Sequence, residues 1–323
     1  MEEMGRNSLK NMSIIYKLTS NKAKVVKAFK EPLFGLGLIL NQIAPLIKND
    51  ETFLKWKYYT VFHRLPNLKN PQTYNEKLQW LKLHDKHPEY ANMVDKAEAK
   101  KYVANIIGEE YIIPTLGVYS HFDEIDFEKL PNQFVIKCTH DSGGVVVCKD
   151  KNDLNIQDAR KKIEYGLSKS AYWGTREYPY KGITPRIIVE AYMEDESGYE
   201  LKDYKIFCFD GKPEFLFVAT DRGIKEEETK FDFFDLKWNH LSFTNGHPNS
   251  SKPINKPENF EKMVELARQL SQGIPHVRVD LYNISGKIYF GELTFFHWSG
   301  MTPFVPEEWD YKFGEMIHLP KKN

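Results

Sequence analysis

A chain of 323 residues, 41% of them hydrophobic, is long enough for two or three packed subdomains and needs no disulfide staples to hold a core. Its 45 basic and 45 acidic residues cancel, which excludes bulk charge attraction to nucleic acid or to an anionic membrane as the main basis of partnership. Cys138, Cys148 and Cys208 form no Cys-x-x-Cys pair, which excludes a disulfide framework and fits a reducing, cytoplasmic compartment.

The sequence opens on Met1, Glu2 and Glu3 and reaches an apolar run only near Pro32, too late for a secretory signal. The run from Pro32 to Ile47 is shorter than the ~20 residues a spanning helix needs and contains Asn41, Gln42 and Pro45. A transmembrane helix is therefore rejected. With Lys22, Lys24, Lys27 and Lys30 before it, the region 22–47 is compatible with a helix lying peripherally on the inner membrane face, or with packing on its own domain or a twin subunit.

From Thr52 to Gly108 the pattern is helical: Tyr74, Leu78 and Leu81 recur at helical spacing, and Ala97 to Val103 is rich in helix formers. Between Leu130 and Asp150 the period changes. Phe134 to Cys138 and Val145 to Cys148 are short β-branched runs around a polar, glycine-containing turn, which predicts a hairpin with Cys138 and Cys148 as cross-strand neighbours. A helix from Asp153 to Ser168 and a strand from Ile187 to Glu190 follow.

Tyr204 to Phe209, Asp210-Gly211 and Glu214 to Val218 read as a second hairpin with a two-residue turn. Pro248 to Pro257 is the strongest loop signal, and Phe260 to Leu270 is an amphipathic helix. Val277 to Tyr282 and Lys287 to Leu293 make a third hairpin, turning at Ser285-Gly286. Hairpins flanked by helices predict an α+β fold with antiparallel sheets. The chain divides into an N-terminal helical extension (1–50), a mainly helical subdomain (51–130) and two strand-rich subdomains (131–193 and 194–323).

Lys137 ends an apolar strand directly before Thr139-His140-Asp141-Ser142-Gly143-Gly144. A fixed cation beside a loop of N–H donors and hydroxyls suits phosphate, although a strand-end lysine before a tight turn is also ordinary structure. There is no Walker-type glycine loop, and Gly35-Leu-Gly37 lacks the strand context of a dinucleotide fingerprint. In the third hairpin Asp280 and Glu292 lie on paired strands, where two hard oxygen ligands suit magnesium. The competing reading is a solvated sheet face with an Arg278–Asp280 pair. An acid inside the apolar strand Gly291-Glu-Leu-Thr294 costs free energy unless it is paired or metal-bound, which favours the site. His84 and His87 have no carboxylate or cysteine in register and read as surface residues. The cluster Trp173, Arg176, Tyr178 and Tyr180 suits either a sugar or plain packing.

Taken together, Val94-Asp-Lys96, Leu130 to Lys137 with Ser142-Gly143, Pro185 to Glu190, Asp203 to Phe209 and Gly291 to Thr294 resemble the TupA-like branch of the ATP-grasp superfamily, linked to teichuronopeptide and capsular polysaccharide synthesis. The resemblance runs from about Asp95 to Leu319. It implies two α+β subdomains gripping the nucleotide, with 131–193 as the lid and 194–323 carrying the metal site. It further implies Lys96 and Lys137 on the nucleotide phosphates with the loop His140 to Gly144 folded over them. Glu190 and the backbone of Ala191, Tyr192 and Met193 would hold adenine, and Asp203 the ribose. Magnesium would sit on Asp280 and Glu292 with Thr294, which stands where better-known relatives have Asn. Arg278 would stabilise the transferring phosphoryl and Arg222 would face it or the acceptor carboxylate. The implied activity is an ATP- and Mg2+-dependent carboxylate–amine ligase that joins an amino acid or amine to a uronic acid carboxylate of a surface polysaccharide. Glycosyl transfer is one alternative, disfavoured by the absence of Asp-x-Asp, and a non-catalytic nucleotide-binding scaffold is another.

Overall fold

The computed structural model describes residues 30–198, 201–221 and 228–321. The chain divides into two compact units, Met1–Pro66 and Asn67–Asn323. In the first, α1 (Pro32–Ile43) begins on a proline, whose missing N–H is harmless in a first turn. α2 (Asp50–Phe62) is capped by Asn49, whose side chain accepts the Thr52 N–H at 2.8 Å, and ends at the left-handed His63. α1 turns Gly37, Leu40 and Ala44 inward, and a Cβ on Gly37 would lie 3.2 Å from Thr60 Oγ1 of α2. Among the described residues no helix is long and apolar enough to cross a membrane.

The second unit starts with α3 (Tyr74–His84), opened by a capping box between Thr73 and Glu76. After α4 (Tyr90–Val94), Asp95 caps α5 (Lys96–Ile107) by accepting from the N–H groups of Ala97 and Glu98; Gly108 ends it at φ 113°. Four antiparallel strands, β1 (Thr115–Tyr119), β2 (Phe134–Cys138), β3 (Val145–Cys148) and β4 (Ile187–Ala191), form a sheet in the order β1-β4-β2-β3. One face, with Phe134, Ile136, Ile187 and Val189, packs on α6 (Ile156–Leu167). Strand alternation puts Val135, Lys137, Ile188 and Glu190 on the other face. The expected pairing of Cys138 with Cys148 is corrected. Both thiols are buried on the core side, but Cys148 lies opposite Phe134, at the far end of the hairpin from Cys138, because the register is set by the turn after Cys138.

The larger sheet has six strands in the order β11-β10-β5-β6-β7-β8, with β5 (Asp203–Phe209), β6 (Lys212–Thr220), β7 (Lys230–Asp235), β8 (His240–Leu241), β10 (His276–Ile284) and β11 (Lys287–Thr294). β9 (Thr244–Asn245) pairs with β12 (Phe304–Val305), and α7 (Phe260–Leu270) and α8 (Glu308–Met316) complete the unit. Both expected two-residue turns are present: Asp210 and Gly211 at φ 47° and 76°, Ser285 and Gly286 at φ 48° and 83°. Positive φ at both positions gives the turn a twist matching that of its strands. The fold is α+β with antiparallel sheets, as the sequence predicts.

Helix α5 joins the two sheets. Its first amide, Lys96 N–H, bonds the Thr139 carbonyl in the turn after β2 at 2.9 Å, while its body packs on β11 and α7 of the larger sheet. This single helix brings the glycine-containing loop toward the β10–β11 hairpin.

Candidate functional site

The residues expected to hold magnesium come together on adjacent strands. Asp280 on β10 lies directly opposite Glu292 on β11 and Lys205 on β5, so the three side chains share one face. Asp280 is fully buried, where an unpaired carboxylate would be costly. Arg278 grips it with two bonds, Nε to Oδ1 at 2.6 Å and Nη2 to Oδ2 at 2.7 Å, and Lys205 Nζ also pairs with Oδ2. Arg278 Nη2 reaches on to Glu292 Oε1 at 3.2 Å and Thr294 Oγ1 at 3.0 Å, and Thr294 Oγ1 donates to Glu292 Oε1 at 3.1 Å.

Behind the guanidinium, Arg278 Nη1 donates to His297 Nδ1 at 2.6 Å, and His297 Nε2 donates to Asn245 Oδ1 at 2.9 Å. Burial, with Arg278 and Lys205 adding to it, holds the His297 pKa well below the usual imidazole range, so the ring is neutral. Glu292 differs from Asp280 in access: 45% of its side chain is exposed. Its partial burial alone would raise its pKa, but Lys205, Arg278 and Lys96 outweigh that and hold it at about 2.

On the smaller sheet, Glu190 sits between two lysines. Lys137 Nζ lies 2.5 Å from Glu190 Oε2, and Lys100 Nζ pairs with Oε1. Desolvation works against the Glu190 charge, yet Lys137 and Lys100 bring its pKa below the usual value. The loop after β2 is closed by Asp141, whose carboxylate accepts the Gly144 N–H at 3.0 and 3.1 Å, leaving Ser142 and Gly143 exposed at the tip. His140 is buried; its Nε2 donates to the Lys169 carbonyl at 3.0 Å, and its buried Nδ1 has no hydrogen-bond partner among the described residues. Gly144 packs against Cys138, where a Cβ would collide with the thiol.

Lys96 connects the two clusters. Its Nζ bonds the Asp141 carbonyl, desolvation lowers its pKa, and it feels Glu292, Lys137, Asp141 and Glu190 together. Residues 96, 137, 141, 190 and 292, which belong to four separate segments, therefore share one electrostatic neighbourhood. Asp203 is buried at the start of β5, 3.5 Å from Lys205 Nζ. Ala191, Tyr192 and Met193 leave β4 half-buried, with Tyr192 Oη donating to Glu194 at 3.1 Å. Arg222 lies outside the described residues.

Two cations in the site do not stand out in sequence. Lys205 is the one charged residue within the buried run Tyr204 to Phe209, and that isolation is its signal. Lys100 follows Lys96 by one helical turn, on the same face of α5. A cavity of about 500 Å3 opens beside Lys100, walled by Ala97, Thr115, Arg186 and Ile188.

No three His, Cys, Asp or Glu side chains among the described residues could hold a metal by themselves. The donors do suit an ion that takes much of its shell from phosphate and water. Glu292 offers an exposed, ionised carboxylate, Thr294 a hydroxyl beside it, and Asp280 stands on the facing rung.

The family model described as TupA-like ATPgrasp matches residues 76–318, well over half of the sequence. The chain belongs to the TupA-like ATP-grasp family. Among curated proteins there is no match to the sequence. Solved structures similar to this ATP-grasp chain include the D-alanine–D-alanine ligase of Bacillus anthracis complexed with ATP (16% identity, 63% of this chain and 53% of that chain, TM-score 0.38). The ATP-grasp ligase PsnB complexed with minimal precursor is similar at 9% identity, over 64% of this chain and 54% of that one, with a TM-score of 0.36. The D-alanine–D-alanine ligase of Helicobacter pylori is similar at 15% identity, over 70% and 61%, with a TM-score of 0.35. This chain spans less than two thirds of the length of each of the three.

Proposed function

We propose that the protein is an ATP-dependent carboxylate–amine ligase that works through an acyl phosphate, and that its donor is a uronic acid carboxylate of a surface polysaccharide or precursor, with an amino acid or amine as acceptor. The observation that supports this reading most is Lys96, a desolvated cation that bonds the Asp141 carbonyl and lies in the field of Lys137 and Glu190 on one sheet and Glu292 on the other. Triphosphate and carboxylate repel one another, so bringing them together needs several fixed cations in a site of low dielectric.

In this reading Lys96, Lys137 and Lys100 bind the phosphates, and the exposed Ser142–Gly143 tip closes over them. Glu190 holds Lys137 and Lys100 in place, and the backbone of Ala191 to Met193 lines the adenine. Asp203 takes the ribose. Glu292 and Thr294, with Asp280, hold magnesium, which supplies charge neutralisation to the polyphosphate. Arg278, kept rigid by Asp280 and by neutral His297, faces the phosphoryl in transfer, with Arg222 on the same group or on the donor carboxylate. A donor carboxylate oxygen attacks the γ-phosphorus, the bond to the β-phosphate oxygen breaks and ADP leaves. The amine nitrogen then attacks the acyl carbon, the carbon–phosphate oxygen bond breaks, and inorganic phosphate and one proton leave.

The strap after β11 suits the acceptor. Trp298, Ser299 and Gly300 are all left-handed, at φ 48°, 57° and 58°, a strained run that persists only where its surroundings hold it. α3 holds it: Lys82 donates to the Ser299 carbonyl at 2.8 Å and hydroxyl at 2.7 Å, and Gln79 to the Gly300 carbonyl at 2.8 Å. Ser299 also bonds Glu177, a buried acid in the field of Glu292. Ser299→Ala loosens the strap by removing the hydroxyl's bonds to Lys82 and Glu177 and is expected to raise acceptor KM roughly tenfold, about the loss of one hydrogen bond to a charged group, with ATP KM unchanged.

The reading is tested by incubating the protein with magnesium, ATP, a panel of uronates and uronate-containing glycans, and pooled amino acids. ADP and a product heavier than the donor by the acceptor less water should appear together. ADP without such a mass in every combination refutes the amide-forming reading. ATP binding without ADP favours the scaffold, and a product formed only from a nucleotide sugar favours glycosyl transfer.

A further inference from the structure

Helix α1 reads Pro-Leu-Phe-Gly-Leu-Gly-Leu-Ile-Leu-Asn-Gln-Ile and has no charged residue. A helix that is apolar nearly all round belongs inside a protein or against lipid, because each face must leave water somewhere. Only one of its faces does so here. Gly37, Leu40 and Ala44 are buried, on the side where Gly37 approaches Thr60 of α2 and where Lys57 of α2 bonds Asn41 Oδ1 at 2.8 Å. The opposite stripe stays in solvent: Ile39 is 57% exposed, Ile43, one turn on, 38%, and Leu46, just beyond the helix, 78%. On α2, Trp56 is 50% exposed and meets Tyr59 edge-on at 6.2 Å between ring centres. Indole rings of this kind favour the headgroup level of a bilayer.

Charge singles out the occupant. The chain as a whole is neutral, but residues 4–30 contain Arg6, Lys10, Lys17, Lys22, Lys24, Lys27 and Lys30 and no acid. The basic excess is therefore concentrated in the segment that leads into the exposed apolar stripe. A second copy of this near-neutral chain offers no net acidic field to match, whereas an anionic bilayer offers both the field and an apolar layer beneath it.

We propose that the stripe Ile39, Ile43 and Leu46 docks peripherally on an anionic lipid surface and enters the acyl boundary, with the basic sequence ahead of it supplying the electrostatic attraction. Insertion is shallow, since α1 is too short to span and keeps its other face on α2. Docking is independent of the ligase reading. It places the catalytic unit on the membrane whatever substrates that unit joins.

The test is co-sedimentation of the full chain with vesicles of phosphatidylcholine alone and with about one third phosphatidylglycerol. Binding is expected only to the anionic vesicles, weakened by added salt and reduced about fivefold for each of Lys22→Gln, Lys24→Gln and Lys27→Gln. Ile39→Asp with Ile43→Asp should abolish it, while helical circular dichroism and the thermal shift given by ATP stay as in the parent. No sedimentation with anionic vesicles, equal binding to both vesicle types, or undiminished binding of the Ile39→Asp, Ile43→Asp protein each overturns the proposal. So does a dimer in sedimentation velocity that Ile43→Asp dissociates while vesicles bind neither protein, since the occupant of the stripe is then a second copy.

Discussion

Lowering the pH should loosen the fold through two histidines that are buried neutral, before the carboxylates titrate. His276 donates from Nδ1 to the Cys208 carbonyl at 2.9 Å, so its Nε2 is the acceptor for Tyr74 Oη, also at 2.9 Å. Burial holds its pKa at about 3, with the Cys208 bond opposing and Arg278 adding to the depression. His297 is depressed too, and its acceptor nitrogen is filled by Arg278, so a proton there meets a guanidinium. Above the unfolded value of 6.5 neither state binds a proton and nothing is lost. Below it the unfolded chain takes up two protons that the folded one refuses, so stability falls by about 2.7 kcal/mol per pH unit.

Between about pH 7 and about pH 5.5 the two together remove roughly 2.5 kcal/mol, a large share of a typical domain's stability. Urea unfolding followed by near-ultraviolet circular dichroism at the two pH values measures it, alongside His276→Gln with His297→Gln. Glu177, whose burial raises its pKa, binds protons more readily when folded and acts in the opposite sense, which is why the comparison with the double variant is needed. The reasoning is refuted if the parent loses no more stability than the variant across this window.

Lys205→Met leaves the buried Asp280 with Arg278 alone, and because that guanidinium still grips both oxygens the cost should fall below the about 3–5 kcal/mol of a buried charge left without any partner, to be read as a lower urea midpoint. An unchanged midpoint would mean that Arg278 satisfies Asp280 unaided. Lys137→Ala and Glu292→Ala should each lower kcat about a hundredfold to a thousandfold, while the melting temperature stays nearly constant because both side chains keep access to water and Glu190 retains Lys100. Joint loss of fold and turnover would make them structural residues.

Local order was legible in the sequence because it is set by local chemistry. The Asp-Gly and Ser-Gly turns place positive φ where the hairpins need it, but counting from Gly286 sets Gly291 opposite Asp280, and only the bulge between Asp280 and Leu281 brings Glu292 onto that rung. The same counting failed for Cys138 and Cys148, since a six-residue loop does not fix a register by its length alone.

What only the tertiary structure decided is which charges meet. Residues 82, 96, 190, 205 and 297 are joined by no periodicity, and their partners lie 75 or more positions away in the chain in several cases, as with Lys205 and Asp280 or Lys100 and Glu190. Buried charges must find counter-charges, but composition leaves open which ones, and the choice is made when α5 packs one sheet against the other. The sequence determined three β-hairpins and the charged residues on and beside them. The packing of α5 decided that Lys96 stands between the two sheets.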